Sequence, residues 1–594
     1  MSQLDRRPCQ NSVHFIDTLP GEIPHFVRRL LSKSLKFVPN TPLPHRDAVL
    51  NQLGQCFRSL RWQCLLQDDE PRSKFPRLAA GCRPPELGNE HEVQLAQASL
   101  AELFGSVWEH TRGRPVSNFD RLDRLALIWL RQHNDYVIAL DTDKNLGLAV
   151  ASRRWLQQQL AKHTALNICT RLDPDEALAR MKRAICHFHA LADAGSLQRF
   201  LPPGTLRFLQ HMPMKLPRLR VNAKVHKEPV ASRPIINTRG SFLKPLATLV
   251  NAALEPVAKA APAVVQSSAD CVRRLPRADL HRCQFACYDV ENLYPSIVVL
   301  DHTERCLLHV VSAKIRHHFP RRFGWATFLI NAVAALLEHQ MFTDGNDTFE
   351  LTRGILTGLT CCTHLANIYL SEYDSYLHRC FSPLGIFRYI DDGLLIIENK
   401  YSKDYILEQL NSWHPCISVK AQSLTVGQEA IFLDLSLRLE DGCTRYKTYR
   451  KPQNLYDYLP ATSAHPSTVV RGIVIGECRR LLLTNDNEVD YNNEVDFFLT
   501  RLSRRGYRRS DIERIAAAFP FARKRYEVPR RIRTPVPTFR FKVPFSLNFK
   551  PGCFNRACRS ATAVLSKAFK KPVQVSKVYT TPKSLFRLLY RATW

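Results

Sequence analysis

The chain has 594 residues, 45% of them hydrophobic, which allows a sizeable buried core and excludes a disordered polyelectrolyte. Lys and Arg number 84 against 54 Asp and Glu, for a net charge of +30. A field of that sign and size favours polyanionic partners, nucleic acid first among them, with binding that weakens as salt rises.

In chain order, residues 1–130 mix helical patches with loops rich in proline and charge, among them Ser73–Glu90. Tyr136–Leu140 and Leu148–Val150 read as strands around the turn Asp141–Gly147, and residues 153–213 read as mainly helical. Leu219–Val225 and Arg233–Thr238 read as paired strands joined by a basic loop. The longest apolar runs are Leu246–Val265 and Trp325–Leu337. The first is broken by Asn251, Glu255 and Lys259 and the second is too short for a bilayer, so both read as core helices and no membrane partner is expected. The polar N-terminus does not read as a signal peptide. Gln284–Val290 is an apolar strand ending on Asp289. A glycine-bearing turn, Gly354–Gly358, precedes an amphipathic helix over Thr360–Leu377. Gly385–Ile397 is a hairpin with Asp391 and Asp392 at its tight end. The C-terminal stretch carries the basic clusters Arg523–Arg525 and Arg530–Arg533, which fit a nuclear address or an RNA-contacting arm. Cys553 and Cys558 have no matching His pair beyond them and read, with the other cysteines, as reduced thiols.

The carboxylates carry the chemistry. Nucleotidyl transfer needs two divalent cations about 4 Å apart, one at the attacking 3′-hydroxyl and one at the leaving pyrophosphate. Magnesium prefers oxygen ligands, so carboxylates must converge from separate strands. Tyr389-Ile-Asp-Asp392 places two adjacent acids between apolar strands, where burial without cations is costly. Alone, the tetrapeptide fits equally a polar hairpin turn signalled by Asp-Gly. Asp289 at a strand end about a hundred residues earlier, with Gly354–Gly358 between, makes the polymerase reading the stronger one.

Taken together these motifs resemble the reverse transcriptases, and within them the Penelope-like retroelement enzymes, relatives of telomerase. Lys33-Ser-Leu-Lys-Phe-Val-Pro39 is similar to that family's N-terminal motif, and Asp143-Lys-Asn-Leu-Gly147 to its "DKG" motif. Ala223-Lys-Val-His-Lys227 with Arg233-Pro-Ile235 resembles the finger motifs. Phe432-Leu-Asp-Leu435 resembles the palm–thumb junction, and Tyr449-Arg-Lys-Pro452, Tyr458-Leu459 and Ser463-Ala-His-Pro466 resemble the thumb region.

The resemblance implies an α+β right-hand polymerase of fingers, palm and thumb, with a helical N-terminal and a basic C-terminal extension. Its expected divisions are an N-terminal extension (1–130, a candidate RNA-binding region), the DKG-like and helical pre-finger region (131–215), fingers and palm (216–400), junction and thumb (401–520), and the C-terminal extension (521–594). It implies RNA-directed DNA synthesis, using two Mg²⁺ ions (Mn²⁺ as an alternative) to extend a primer with dNTPs. The setting it implies is the nucleus, in a ribonucleoprotein with the element's own RNA. Asp289, Asp391 and Asp392, with the Val290 carbonyl, are the implied metal ligands. Tyr294 is the implied gate against a 2′-hydroxyl, with core packing as its plainer role. Lys224 and Arg233 are implied on the triphosphate, surface charge being the plainer reading, and Gly358 under the nascent base pair. Lys420 is implied as the acid that protonates pyrophosphate. Lys144, Lys227, Lys447, Arg450 and Lys451 are implied nucleic-acid contacts, although Tyr446–Lys451 also fits an edge strand with solvated charges. Two departures stand out. Thr357 occupies a position where many reverse transcriptases have Gln, and Gly506-Tyr507 lacks the partner half of the Gly-Ile-Tyr…Tyr-Ile-Gly nuclease that many family members carry. A telomerase-like enzyme that extends chromosome ends and a domesticated nucleic-acid-binding protein are the competing readings.

Overall fold

The computed structural model describes residues 13–17, 23–40, 46–65, 88–109, 116–134, 137–143, 146–165, 168–193, 209, 212–300, 305–423, 429–452, 454–456, 458–526, 536–548, 554–580, 582–585 and 587–589. Lys144, Arg530–Arg533, Cys553 and most of the loop expected over Ser73–Glu90 lie outside these residues.

The fold is mixed α/β. Its strands in chain order are β1 (Val13–Ile16), β2 (Val137–Asp141), β3 (Leu148–Ser152), β4 (Cys169–Leu172), β5 (Arg218–Lys224), β6 (Ala231–Asn237), β7 (Cys283–Val290), β8 (Met341–Thr343) and β9 (Thr348–Leu351). There follow β10 (Gly385–Tyr389), β11 (Asp392–Glu398), β12 (Val419–Ser423), β13 (Ala430–Phe432), β14 (Leu435–Glu440), β15 (Cys443–Thr448), β16 (Thr538–Pro544) and β17 (Gln574–Thr580). The sheet orders are β1-β3-β2, β4-β9-β8-β5-β6, β10-β11-β7-β12, β13-β14-β15 and β16-β17.

β7 and β11 read as continuous apolar runs because both faces of their sheet are covered. Ala286 and Tyr288 of β7 and Leu395 and Ile397 of β11 enter a core shared with Leu246, Leu329, Leu365 and Tyr373 from three helices, Leu243–Lys259, Phe323–Glu338 and Cys362–Phe381. The alternate residues, Phe285, Cys287, Leu394 and Ile396, pack instead against Phe432, Leu435 and Leu437 of the β13–β15 sheet.

Several local readings are revised. The helix expected over Leu246–Val265 ends at Lys259, and Val264 bridges to Arg388 at the outer edge of β10. The region 153–213 is interrupted by β4, which pairs with β9. β3 carries a parallel neighbour, β1, besides the expected antiparallel β2.

The two chain ends share one core. Leu60 and Phe104, from the helices Arg46–Leu65 and Glu90–Glu109, pack with Phe539, Phe541 and Leu565 of β16 and the helix Asn555–Phe569. Phe104 stacks on Phe541 with ring centroids 4.1 Å apart. The stretch resembling the N-terminal motif also meets the stretch at 463–466. The Val38 amide donates to Ser463 Oγ (2.8 Å), and the Ala464 amide donates to the Val38 carbonyl (2.9 Å). Among the described residues, no helix is long and apolar enough to cross a membrane.

Candidate functional site

The acid positions are fixed by register. Asp392 opens β11 directly opposite Asp289 on β7, and Tyr389 pairs with Asp392 to leave a two-residue connection, Ile390-Asp391. The Val290 amide donates to the Asp391 carbonyl (3.0 Å), tying the turn back to the strand that carries Asp289. The turn's strained residue is Ile390, at φ 59°, a region that β-branched side chains avoid. The Asp-Gly pair is therefore not the turn. Gly393 lies within β11, where a Cβ would fall 2.0 Å from the Tyr288 ring.

The site is electrostatically tense. Burial pushes the Asp289 carboxyl above the usual carboxylate range, and the Asp391 and Glu291 carboxylates push it further, against a hydrogen bond with Asp392 and the charge of Lys420. Lys420 on β12 is the register partner of Asp289, yet its ammonium pairs with Glu291 and holds that carboxyl below its usual range. Ser418 Oγ donates to Glu291 as well (3.1 Å). An all-oxygen donor set with surplus negative charge on buried strands suits a hard divalent cation. Among the described residues only His187, Glu338 and His339 bring three ligand atoms within 4.8 Å of one another. That second group was not singled out from sequence. The Arg183 and Arg180 charges, which act on His339, oppose a cation there.

Tyr294 lies on the short helix Leu293–Ser296 that follows β7. Burial pushes its phenol up to about 12, with contributions from Cys362 and Asp391, so it stays protonated at neutral pH beside the acids. Its carbonyl accepts from the Ile355 amide (3.0 Å). A Cβ on Gly354 (φ 84°) would fall 2.5 Å from that carbonyl oxygen. Gly358 (φ 107°) is tighter still, since its Cβ would lie 2.1 Å from the Ile236 carbonyl oxygen on β6. The Ile236 amide donates to the Thr357 carbonyl (2.9 Å), and Thr238 Oγ1 donates to the Gly358 carbonyl (2.8 Å). The glycine turn is thus a seam between the β5–β6 hairpin and Tyr294, and Thr357 takes part through its backbone.

Lys224 and Arg233 lie on one face of that hairpin, since Asn222 pairs with Arg233 and Lys224 with Ala231. Arg233 is over half exposed and sits 3.3 Å from Asp143, so the DKG-like motif meets the finger-like one. Lys227 is exposed in the connecting turn. Lys447 and Lys451 are exposed or half-exposed at and just beyond β15. Arg450 is held by Glu494 (3.2 Å) and lies 3.8 Å over the Phe497 ring, both on the helix Glu488–Arg504, so its charge also fastens β15 to that helix. The Phe432–Leu435 stretch resembling the junction contributes Asp434, which pairs with Arg480 on the helix Ser467–Thr484 and accepts from Ser268.

A model for an animal helix-turn-helix domain matches residues 457–516. Those residues include the helices Ser467–Thr484, Glu488–Arg504 and Arg509–Ala516, which close on Leu481, Phe498 and Ile512. No curated protein matches the chain. Solved structures with some likeness include telomerase from Candida albicans in complex with a TWJ fragment of telomeric RNA, at 11% identity and TM-score 0.43 over 91% of this chain and 97% of that one. Apo telomerase from Candida tropicalis follows at 9% identity and TM-score 0.38, over 89% of this chain and 87% of that one.

Sequence reasoning also missed Arg388, Asp374 and Asn367, which meet behind the acid-bearing turn. The available signal was a lone Arg in an apolar strand and a lone Asp on an apolar helix face, two charges that need one another once buried.

Proposed function

We propose that the chain is a reverse transcriptase, extending a primer 3′-hydroxyl with dNTPs on an RNA template. The observation that carries the proposal is Asp289 facing Asp392 across antiparallel strands, with Asp391 in the adjoining turn and Tyr294 beside them. Asp289, Asp391, Asp392 and the Val290 carbonyl would hold two Mg²⁺ or Mn²⁺ ions. Such ions, when bound, neutralise the reacting phosphates and lower the pKa of the 3′-hydroxyl.

The remaining work falls to the chain's own residues. The Tyr294 ring occupies the space that a 2′-hydroxyl would need, so dNTPs are preferred. Lys224 and Arg233, on one face of the β5–β6 hairpin, bind the triphosphate, and Arg233 exchanges Asp143 for phosphate as the nucleotide enters. Gly358 would lie under the nascent base pair, its backbone at φ 107° set by the close approach of the Ile236 carbonyl. Lys420 can deliver a proton to pyrophosphate only once its pair with Glu291 opens. Lys227, Lys447 and Lys451 contact backbone phosphates of the template–primer, and the surplus of 30 positive charges supports retention of a long RNA in a ribonucleoprotein. Within this reading we assign the chain to the Penelope-like retroelement enzymes, acting in the nucleus, on the ordered motifs from Lys33 to Pro466.

Purified protein, a DNA primer annealed to RNA, Mg²⁺ and dNTPs should give extension products. The variant Asp391→Ala/Asp392→Ala should give none. Absence of product with the unaltered protein, or equal product from the variant, contradicts the reading.

A further inference from the structure

The acid-bearing turn is gripped from behind by a charged side chain with no exposure to solvent. Arg388, 0% exposed, is the last residue before Tyr389-Ile-Asp-Asp392 that faces the interior. A guanidinium has five N–H donors, and here all five are used. Nε donates to Asp374 Oδ1 (2.8 Å) and Nη2 to Asp374 Oδ2 (2.7 Å), a bidentate pair. Nη1 donates to Asn367 Oδ1 (2.9 Å), and Nη2 also donates to the Asn367 carbonyl (3.1 Å). The fifth bond runs from Nη1 to the carbonyl of Ile390 (3.1 Å). That carbonyl belongs to the peptide joining Ile390 to Asp391. Ile390 holds φ 59°, a conformation that β-branched residues avoid and that persists only when its surroundings over-determine it.

The backbone of Arg388 is fixed independently. Its amide donates to the Ala263 carbonyl (2.8 Å), and its carbonyl accepts from the Val265 amide (2.9 Å). Asn367 and Asp374 both lie on the buried helix Cys362–Phe381, which gives the clamp a rigid base. The bond to the Ile390 carbonyl is the one that reaches the turn. Asp374 balances the charge and takes two of the five donors, the remaining three need acceptors of their own, and one of those acceptors is the turn itself.

We infer that Arg388, seated on Asp374 and Asn367, is a positioning residue that holds the strained Ile390–Asp391 peptide so that Asp391 and Asp392 present their carboxylates to the metal ions. The inference rests on the reverse transcriptase reading. Arg388 touches neither substrate nor metal, and it acts through the turn in the way that outer partners orient metal ligands in other sites, where their loss costs about 10–100-fold in metal affinity.

The test is the Mg²⁺ concentration for half-maximal primer extension, with folding followed by circular dichroism and thermal melting. Asn367→Ala keeps the ion pair and loosens its seat. It should raise the Mg²⁺ requirement about tenfold with the fold retained. The double variant Arg388→Met/Asp374→Leu replaces the buried pair with apolar groups, an exchange that is often neutral for stability. It should melt near the unaltered protein yet need at least as much extra Mg²⁺. A purely structural clamp would move the melting temperature and leave the Mg²⁺ requirement alone, and that result overturns the inference while leaving the enzyme reading intact. If the unaltered protein neither extends a primer nor binds Mn²⁺, the reading itself fails and the inference with it.

Discussion

The sheet that carries Asp289, Asp391 and Asp392 draws all its strands from one stretch of the chain, between Cys283 and Ser423. The β16–β17 pair draws its core from the far end of the chain, the helices Arg46–Leu65 and Glu90–Glu109. In the first region chemistry dictates residue identity: acids at a strand end and a turn, glycines where backbones approach, an arginine beneath. In the second, any well-shaped apolar side chain would serve, and what defines the unit is which distant segment meets which. The acids and glycines of the first region announce themselves in sequence, whereas its arginine and the whole second region are settled only by the fold.

The largest effect that would break this contrast concerns the shared core. Phe541→Ala removes a ring stacked on Phe104 and should destabilise the unit by about 3–5 kcal/mol. Hydrogen exchange should rise in Arg46–Leu65 and Glu90–Glu109 as much as in β16 and β17, with β7 and β11 unchanged. Faster exchange confined to the C-terminal elements would show that the two ends do not form one unit.

Gly358→Ala tests the seam. A Cβ 2.1 Å from the Ile236 carbonyl oxygen, on a backbone at φ 107°, must separate the β5–β6 hairpin from the glycine turn. Misplacement of that order should lower kcat/KM for dNTPs about a hundredfold with the protein still folded. Tyr294→Ala is narrower in its effect. It should raise rNTP use relative to dNTP use by about tenfold in primer extension. Equal discrimination in the variant would return Tyr294 to plain core packing.

The smallest effect has a defined sign. The Asp289 carboxyl titrates above the ordinary Asp value, chiefly through burial. Between the ordinary value and the raised one, the folded protein binds more protons than the unfolded chain, so stability falls as pH rises through that window and stays reduced above it. Asp289→Asn removes the deficit. At neutral pH without metal it should melt up to about 2 °C higher than the unaltered protein, while losing extension. Added Mg²⁺ should raise the melting temperature of the unaltered protein and not that of the variant. A variant that melts lower in metal-free buffer would contradict the electrostatic account.

Much of the acid-bearing region was readable in advance. The strand ending on Asp289, the hairpin over Gly385–Ile397 and the glycine turn all have local signatures, namely apolar runs, a two-residue connection and paired glycines. What misled was a local rule applied alone. Asp392-Gly393 looks like a turn signal, but Gly393 is there to admit the Tyr288 ring from the neighbouring strand. Arg388 was passed over because its partners, Asp374 and Asn367, sit on a helix whose crossing behind the hairpin no local pattern reports. The contacts of Val38 with Ser463 and Ala464, and of Phe104 with Phe541, join residues hundreds of positions apart, and periodicity carries no record of such pairings.

The most direct test of the central claim is metal binding by the three aspartates. Mn²⁺ should be titrated into the protein bound to an RNA template, a chain-terminated DNA primer and the next dNTP, with bound ions counted by electron paramagnetic resonance. The account predicts two Mn²⁺ per chain in excess of those held by the nucleic acid and nucleotide alone, and the loss of both in Asp391→Ala/Asp392→Ala. No excess ions, or an unchanged count in the variant, would contradict it.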